Sequence, residues 1–521
     1  MRIHEVNEDI LNLEFNVNTE IKNGNELYVY IKKEDIKDIV DIMFTKYRLY
    51  FAGEFCMQRD NFLISIILTN RKKGYFVILR YETEKEIISL QGFANQSHLF
   101  EREIKDLFGL QIVDGEDKRT IVKHELWEKD VYPLRKEFEY GRKIRDLNQT
   151  EDYAFREVVT EGGYQIPVGP VHAGIIEPGH FRFSVIGEPI ENLQIRLMYK
   201  HRGIEKICEN TDINKLNLIF ERVAGESSVA YGEAYAQLIE KMIKYGVSKE
   251  IRALRVVLLE LERIYNFLDD VAGICVDIGF SYPAKKFGYL SEIIHQLCER
   301  ITGSRFLRNS IIPCGTNINF TKGNKIDILE TVKTVEKRFN EIVDITLGSV
   351  SFLDRVEHTG IVENKIAKHL NMTGVVGRAS EIHYDVRRSF PYEIYKEIKK
   401  STNFKKLGGV FERYSLKLEE IRDAFKFIRE SLDSINDDIK KSREKIRIEE
   451  GKEGFAVVET VKGELIVYGK VGENNEFDRV YLKTPSFTNW KGLTYAVLGE
   501  IVPDFPLCNK SFNMSYSEND R

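Results

Sequence analysis

The stretch Ile166-Pro-Val-Gly-Pro-Val-His-Ala-Gly-Ile-Ile-Glu-Pro-Gly-His-Phe-Arg-Phe183 marks where the chain changes character. Its Gly169–His180 portion is a Gly/Pro-rich loop that gathers His172, Glu177 and His180. A Glu-x-x-His spacing on a helix would suggest a metal site, but Pro178-Gly179 between Glu177 and His180 rules that helix out. Taken alone, such a loop is more often structural than functional.

Upstream, residues 1–125 read as an α+β domain. Glu26–Lys32 alternates apolar and polar residues in strand fashion, and Phe62–Leu68 and Tyr75–Tyr81 are short β-branched or aromatic runs. Ser97–Phe108 has helical spacing and stops at Gly109. A charged linker, residues 126–164, contains Asp130-Val-Tyr-Pro-Leu-Arg-Lys-Glu-Phe138. Downstream, residues 165–521 are mainly helical with small sheets. Leu254, Val257, Leu258, Leu261, Ile264, Leu268 and Val271 form one apolar helix face. Residues 228–246, 286–302, 327–346 and 416–441 show the same periodicity. Residues 454–461, 463–468 and 478–483 predict a small sheet, and the acidic end, 513–521, has the composition of a frayed terminus.

At 521 residues the chain needs more than one core. A net charge of -5 argues against a general nucleic-acid binder. No apolar run approaches the roughly 18–20 residues that span a bilayer, and the N-terminus lacks the apolar core of a signal peptide. Cytoplasmic folding is expected. The six cysteines form no CxxC pair, and Cys275, Cys298 and Cys508 are expected as core thiols. No P-loop and no GxGxxG placed between strand and helix is present, so the chain supplies no dinucleotide site.

Phe100-Glu-Arg-Glu-Ile-Lys-Asp-Leu-Phe-Gly109, followed by Tyr132-Pro-Leu-Arg-Lys-Glu-Phe138, resembles the C subunit of NADH–quinone oxidoreductase, complex I. The 166–183 stretch, Tyr199-Lys-His-Arg-Gly-Ile-Glu-Lys206, Glu262-Arg-Ile264, Gly374-Val-Val-Gly-Arg-Ala-Ser380, Asp385-Val-Arg-Arg388 and Thr484-Pro-Ser-Phe-Thr-Asn-Trp490 resemble its D subunit. They resemble still more the large subunit of formate-hydrogenlyase-type, membrane-bound [NiFe] hydrogenases. The matches run in family order over almost the whole chain, as in a C–D fusion.

In those hydrogenases two loops each carry a CxxC pair, and the four thiolates hold nickel and iron. The equivalent loops here are Arg222-Val-Ala-Gly-Glu-Ser227 and Asn513-Met-Ser-Tyr-Ser-Glu-Asn-Asp-Arg521, which place Ala224, Ser227, Ser515 and Glu518 at the four ligand positions. Soft thiolates suit nickel, and hard oxygens are poor substitutes. No metal ligand is therefore assigned, and a nickel–iron centre is not expected. Tyr231 stands where hydrogenases usually place a histidine. Gly225 stands where the complex I D subunit places its quinone-binding tyrosine. The sequence ends at Arg521, the point at which many hydrogenase precursors are cut after nickel insertion.

The resemblance implies a cavity formed by Glu177, His172, His180, Glu226, Tyr231 and Arg378. It also implies proton handling by Glu177 and one of the two histidines, since histidine titrates near neutrality, and a partly desolvated Glu226, its pKa raised, as a proton carrier. For Arg378, pairing with Asp385 and lining the cavity both stay open. His201, Arg202, Glu205 and Lys206 are expected to face a small [4Fe-4S] subunit. Antiporter-like membrane subunits, a peripheral place on the cytoplasmic face of the membrane, a quinone as acceptor and NAD only through other subunits are further implications. The expected function is electron passage between the partner's cluster and a quinone or unknown acceptor. A non-catalytic coupling or scaffold subunit is the alternative, and a hydrogenase with atypical ligands is the least favoured.

Overall fold

β1 (Asn18–Lys22), β2 (Glu26–Tyr30), β3 (Tyr50–Gln58), β4 (Phe62–Asn70) and β5 (Tyr75–Thr83) form a sheet in the order β1-β2-β5-β4-β3. The pairing is antiparallel except for β2–β5. β3, β4 and β5 are buried at almost every position, so both faces are covered. This is why β4 and β5 read as continuous apolar runs. β3, whose run is broken by Gly53 and Glu54, gives no such signal. α1 (Ile3–Leu11) and α2 (Ile36–Thr45) flank the sheet's first strands in sequence, and α3 (Ser97–Phe108) packs on β3. α3 ends as its sequence predicts, with Gly109 in the left-handed region at φ 77°. The computed structural model describes residues 2–125, 127–143, 153–157, 161–172, 176–398, 403–442 and 444–521.

A second antiparallel sheet, β6 (Gly163–Val168), β7 (His180–Ile186) and β8 (Ile190–Arg196), leads into the helical body. That body comprises α4 (Ile204–Glu209), α5 (Ser228–Ile243), α6 (Lys249–Asp277), α7 (Ser281–Thr302), α8 (Lys322–Leu347) and α9 (Val410–Asp433). α6 is the spine, buried without interruption from Ala253 to Leu268 and packed between α7 and α9. The periodic stretches 286–302 and 327–346 lie within α7 and α8, while 228–246 and 416–441 overrun α5 and α9, which end at Ile243 and Asp433. The predicted C-terminal sheet is present as β9 (Glu453–Glu459), β10 (Glu464–Val471) and β11 (Phe477–Lys483). α10 (Pro485–Ala496), α11 (Phe505–Phe512) and α12 (Tyr516–Asp520) complete the chain.

The α+β expectation therefore holds, with one correction at the end. Residues 518–521 are not frayed but buried, each at most 4% exposed. All six cysteines are buried.

The first sheet packs on the last. Phe55 stacks on Tyr481 (4.7 Å, 17°) and Phe76 on Phe455 (5.4 Å, 19°). Between them Arg80, fully buried, forms a bidentate pair with Glu453 at 2.6 and 3.1 Å. The Tyr468 hydroxyl donates to the same carboxylate at 2.6 Å, and Lys22 lies 2.8 Å away. Burial opposes ionisation of Glu453, but Arg80, Lys22 and Tyr468 more than offset it and hold the carboxyl down at about 2.

Because this pKa lies below the ordinary 4.5, the pair's stabilisation is complete above pH 4.5. It fades as pH falls from there toward 2. Glu453→Leu leaves the Arg80 guanidinium unpaired and is expected to cost ~3–5 kcal/mol in chemical denaturation of the full chain. Adding Arg80→Met should recover most of that loss, and an unchanged unfolding midpoint in Glu453→Leu would refute the assignment.

Candidate functional site

Two loops distant in sequence are tied together by one side chain. Arg202 donates to the carbonyls of Arg222 (2.8 Å) and Val223 (2.7 Å) in the first loop and to that of Ser517 (2.8 Å) in the second. Its own amide donates to the Arg521 carbonyl at 2.7 Å.

The first loop makes one tight turn over Gly225–Ser227 and enters α5. The opening amides of α5 are satisfied by Glu262 on α6, which accepts from Val229 (2.6 Å) and Ala230 (3.1 Å). Asn266, one turn on, donates to the Glu226 carbonyl at 2.7 Å.

In the second loop Ser515 caps α12 by accepting from the Glu518 amide at 3.1 Å. The Glu518 carboxyl is fully buried. It accepts from the Tyr231 hydroxyl (3.1 Å) at one oxygen, and from the Ser486 amide (3.1 Å) and hydroxyl at the other. Asp520 accepts from the amides of Met198 (2.8 Å) and Lys200 (2.9 Å), which fixes the approach to α4.

These carboxyls are short of cations. Burial raises Glu518 to about 7 and the neighbouring charge of Glu226 adds to it, while Ser486, Lys462 and Tyr231 pull the other way. Burial likewise takes Glu262 to about 8, against the two amide donors and Arg263, with Glu226 again adding. Glu177, half-buried, is raised first by burial; Arg202 opposes this, and Asp520 and Glu226 contribute. The half-buried Glu226 thus interacts with Glu177, Glu262 and Glu518 together. Burial with few opposing cations holds Glu518 and Glu262 up in the neutral range and raises Glu177 above the ordinary carboxylate range.

The family description "Respiratory-chain NADH dehydrogenase, 30 Kd subunit" matches residues 29–143, and "Respiratory-chain NADH dehydrogenase, 49 Kd subunit" matches residues 277–453 and 438–521. This chain belongs to that family as a fused 30-kDa/49-kDa subunit. Hydrogenase-4 component G of Escherichia coli (strain K12) is 29% identical over 423 residues, 81% of this chain and 73% of that protein. Formate hydrogenlyase subunit 5 of the same organism is 27% identical over 433 residues, 81% and 74% of the two chains. The C/D subunit of NADH-quinone oxidoreductase from Phocaeicola vulgatus is 27% identical over 435 residues, 79% and 80%. Each is a component or subunit of an assembly.

The four expected ligand positions lie on the two loops that Arg202 joins. What they present is a methyl group, two hydroxyls and a carboxyl. The Ser227 hydroxyl is buried without a partner, the Ser515 oxygen serves the α12 cap, and both Glu518 oxygens are engaged. This donor set does not fit a four-thiolate nickel–iron centre. Among the described residues no group of His, Cys, Asp and Glu is arranged to hold a metal.

Of the expected cavity residues, Tyr231 bonds to Glu518, Glu226 interacts electrostatically with it, and Glu177 meets Glu226 and Asp520. The two histidines stand apart. His172 is exposed, its ring against Phe181 at 5.5 Å, and His180 turns its ring toward Phe155 at 5.0 Å. Neither interacts with Glu226 or Glu518.

Arg378 is fully buried with Glu459 (3.0 Å), Glu420 (2.9 Å) and Asp385 (3.5 Å), in a network that also holds Arg387 and Arg263. Of its two readings, the internal ion-pair network is the one formed. Glu205 pairs with Arg479 (2.7 Å), and Lys206 donates to the Arg135 carbonyl (3.0 Å). Both are 8% exposed and leave little to offer a partner. Arg202 is exposed and His201 half-buried, with burial holding that imidazole down at about 4.

Sequence reading did not assign Ser486, Lys462 or the capping role of Glu262. Ser486 and Glu262 do lie inside family-like segments, but no spacing rule relates them to Glu518.

Arg202→Met removes three hydrogen bonds from a charged donor, each contributing ~1.5–3 kcal/mol at most. Amide hydrogen exchange in residues 222–227 and 515–521 is expected to accelerate by ~10-fold or more in both segments at once. Unchanged exchange in either segment would contradict the bracing role.

Proposed function

We propose that this complex-I-related subunit of the hydrogenase and NADH–quinone oxidoreductase type serves electron transfer without nickel. Electrons pass between an iron–sulfur cluster of a partner subunit and a quinone or another acceptor, and Glu518 and Glu226 carry the accompanying protons. The observation that carries this reading is the Glu518 carboxyl itself. It stands at an expected metal-ligand position, shielded from water, yet titrates at about 7. A general acid–base group works best when its pKa lies near the working pH.

Quinone reduction consumes protons together with electrons, so a buried site needs a route for them. Glu177, half-buried beside Arg202, Glu226 and then Glu518 with the Tyr231 hydroxyl form a sequence of protonatable groups from the surface inward. The Tyr231 phenol is kept protonated by burial and by Glu518, so it can donate a hydrogen bond to the carboxylate but does not itself ionise near neutrality. The exposed Arg202 beside this entrance supports docking of an iron–sulfur subunit there, more than Glu205 or Lys206 do. Among the described residues no helix is long and apolar enough to cross a membrane. Attachment at the cytoplasmic face through antiporter-like membrane subunits is part of the same proposal, as is the assignment of any NAD chemistry to other subunits.

Elemental mass spectrometry of the complex purified from native membranes is expected to find iron without nickel. Stoichiometric nickel would overturn the reading and return hydrogen turnover to first place. Glu518→Gln keeps the side chain's shape but not its proton. It is expected to lower turnover by ~100-fold or more and to abolish the inflection near pH 7 in the pH–rate profile. Wild-type turnover in an assembled Glu518→Gln complex would favour a coupling or scaffold role.

A further inference from the structure

A cavity of about 350 Å³ lies between α3, the segment that follows it, β8 and α10. None of its walls includes Glu177, Glu226 or Glu518. Five cationic side chains line it: Arg102, Arg119, Arg156, Arg196 and Lys491. Arg102 (3.2 Å) and Arg119 (2.7 Å) share one carboxylate, Asp117. Arg196 pairs with Glu125 at 2.5 Å. Glu116, on the wall, is exposed. Counting these three carboxylates against the five cations leaves an excess of two positive charges. Lys491 and Arg156 are the uncompensated pair, with no carboxylate within salt-bridge distance among the described residues.

The geometry is fixed in advance of any ligand. Arg102 donates to the carbonyls of Arg119 (2.6 Å) and Thr120 (3.0 Å), and Arg119 to that of Ala154 (3.1 Å). The Tyr153 ring lies beneath Arg196 at 4.4 Å and also faces Arg119 at 5.2 Å. Lys491, projecting from α10, is half-buried. Burial lowers its pKa, and Arg156, Arg119 and Arg102 push it the same way against Asp117. Gathering cations in a partly desolvated space costs free energy that an anion would relieve. A guanidinium fork held by backbone carbonyls loses little entropy when the anion arrives. The volume lies within the range of small-molecule sites.

We propose that this cavity binds a small phosphate-bearing anion, contacted chiefly by Lys491 and Arg156. Such a site is separate from the electron-transfer reading and stands or falls independently of it. Asn519, on the cavity wall, is the sequence neighbour of Glu518, so an occupant would rest against the helix that carries the acidic site.

Trp490 also lines the cavity and is one of only two tryptophans in the chain. In the full chain carrying Trp127→Phe, its fluorescence can be titrated with inorganic phosphate and, separately, with ADP, each repeated by calorimetry. A saturable response absent from sodium chloride of equal ionic strength is expected. Lys491→Gln should weaken it at least tenfold, and Arg156→Gln, at the exposed rim, should do the same without disturbing the fold. Tighter binding of ADP than of phosphate would identify a nucleotide as the occupant, and the reverse a free oxyanion. No saturable binding of either, or binding unchanged in both variants, would overturn the proposal.

Discussion

The Arg521 guanidinium is 2% exposed and lies between Glu103 of α3 and Glu205 of α4, with a further bond to the Leu482 carbonyl at 2.5 Å. A guanidinium can leave water only if its donors are paired, and here the partners come from opposite ends of the chain. Burial takes the Glu103 carboxyl up to about 7, with Arg521 opposing. α12 therefore docks only where α3, α4 and β11 already meet. Once it docks, Asp520 can accept the amides of Met198 and Lys200, Glu518 can reach Tyr231 and Ser486, and Arg202 can brace both loops. The acidic site is a consequence of assembly and has no local existence.

Two buried charged clusters lie within this body, and charge balance separates their roles. Around Arg378, three arginines face Glu459, Glu420, Asp385 and Glu260 at salt-bridge distance. Such a cluster fixes how α6, α9 and β9 sit against one another, its three arginines answering four carboxyls, of which Glu459 is raised by burial and by Asp385. Around Glu226 few cations answer the carboxyls, so burial takes Glu262 to about 8 and Glu518 to about 7 and raises Glu177. Burial is common to both clusters; the missing countercharge distinguishes the second.

The interface between the first and last sheets shows the same rule in a stabilising form. Arg80 and Glu453 are as deeply buried as the acidic site, but they are paired in bidentate fashion and surrounded by stacked aromatic rings. Their protons stay fixed across the physiological range. Close pairing holds elements together at Arg80–Glu453 and around Arg378, whereas the Glu226 cluster carries an excess of carboxyls and the Lys491 cavity an excess of cations.

Sequence alone determined the main helices, several of the strands and the family. α3 stops at Gly109 because only a left-handed residue closes it, α6 shows its core face through apolar periodicity, and β9–β11 show short β-branched runs. The family-like segments from Phe100 to Trp490 place these elements in order. Local pattern is enough there because each signal depends on neighbours a few residues away. Tertiary structure alone decided that β3 is a strand, that the acidic terminus is buried, and that Arg378 is spent in an ion-pair network. It also turned His172 and His180 away from the acidic cluster and brought Ser486, Tyr231 and Glu518 together. Those outcomes depend on burial and charge pairing between residues hundreds of positions apart, and no local periodicity records such distances.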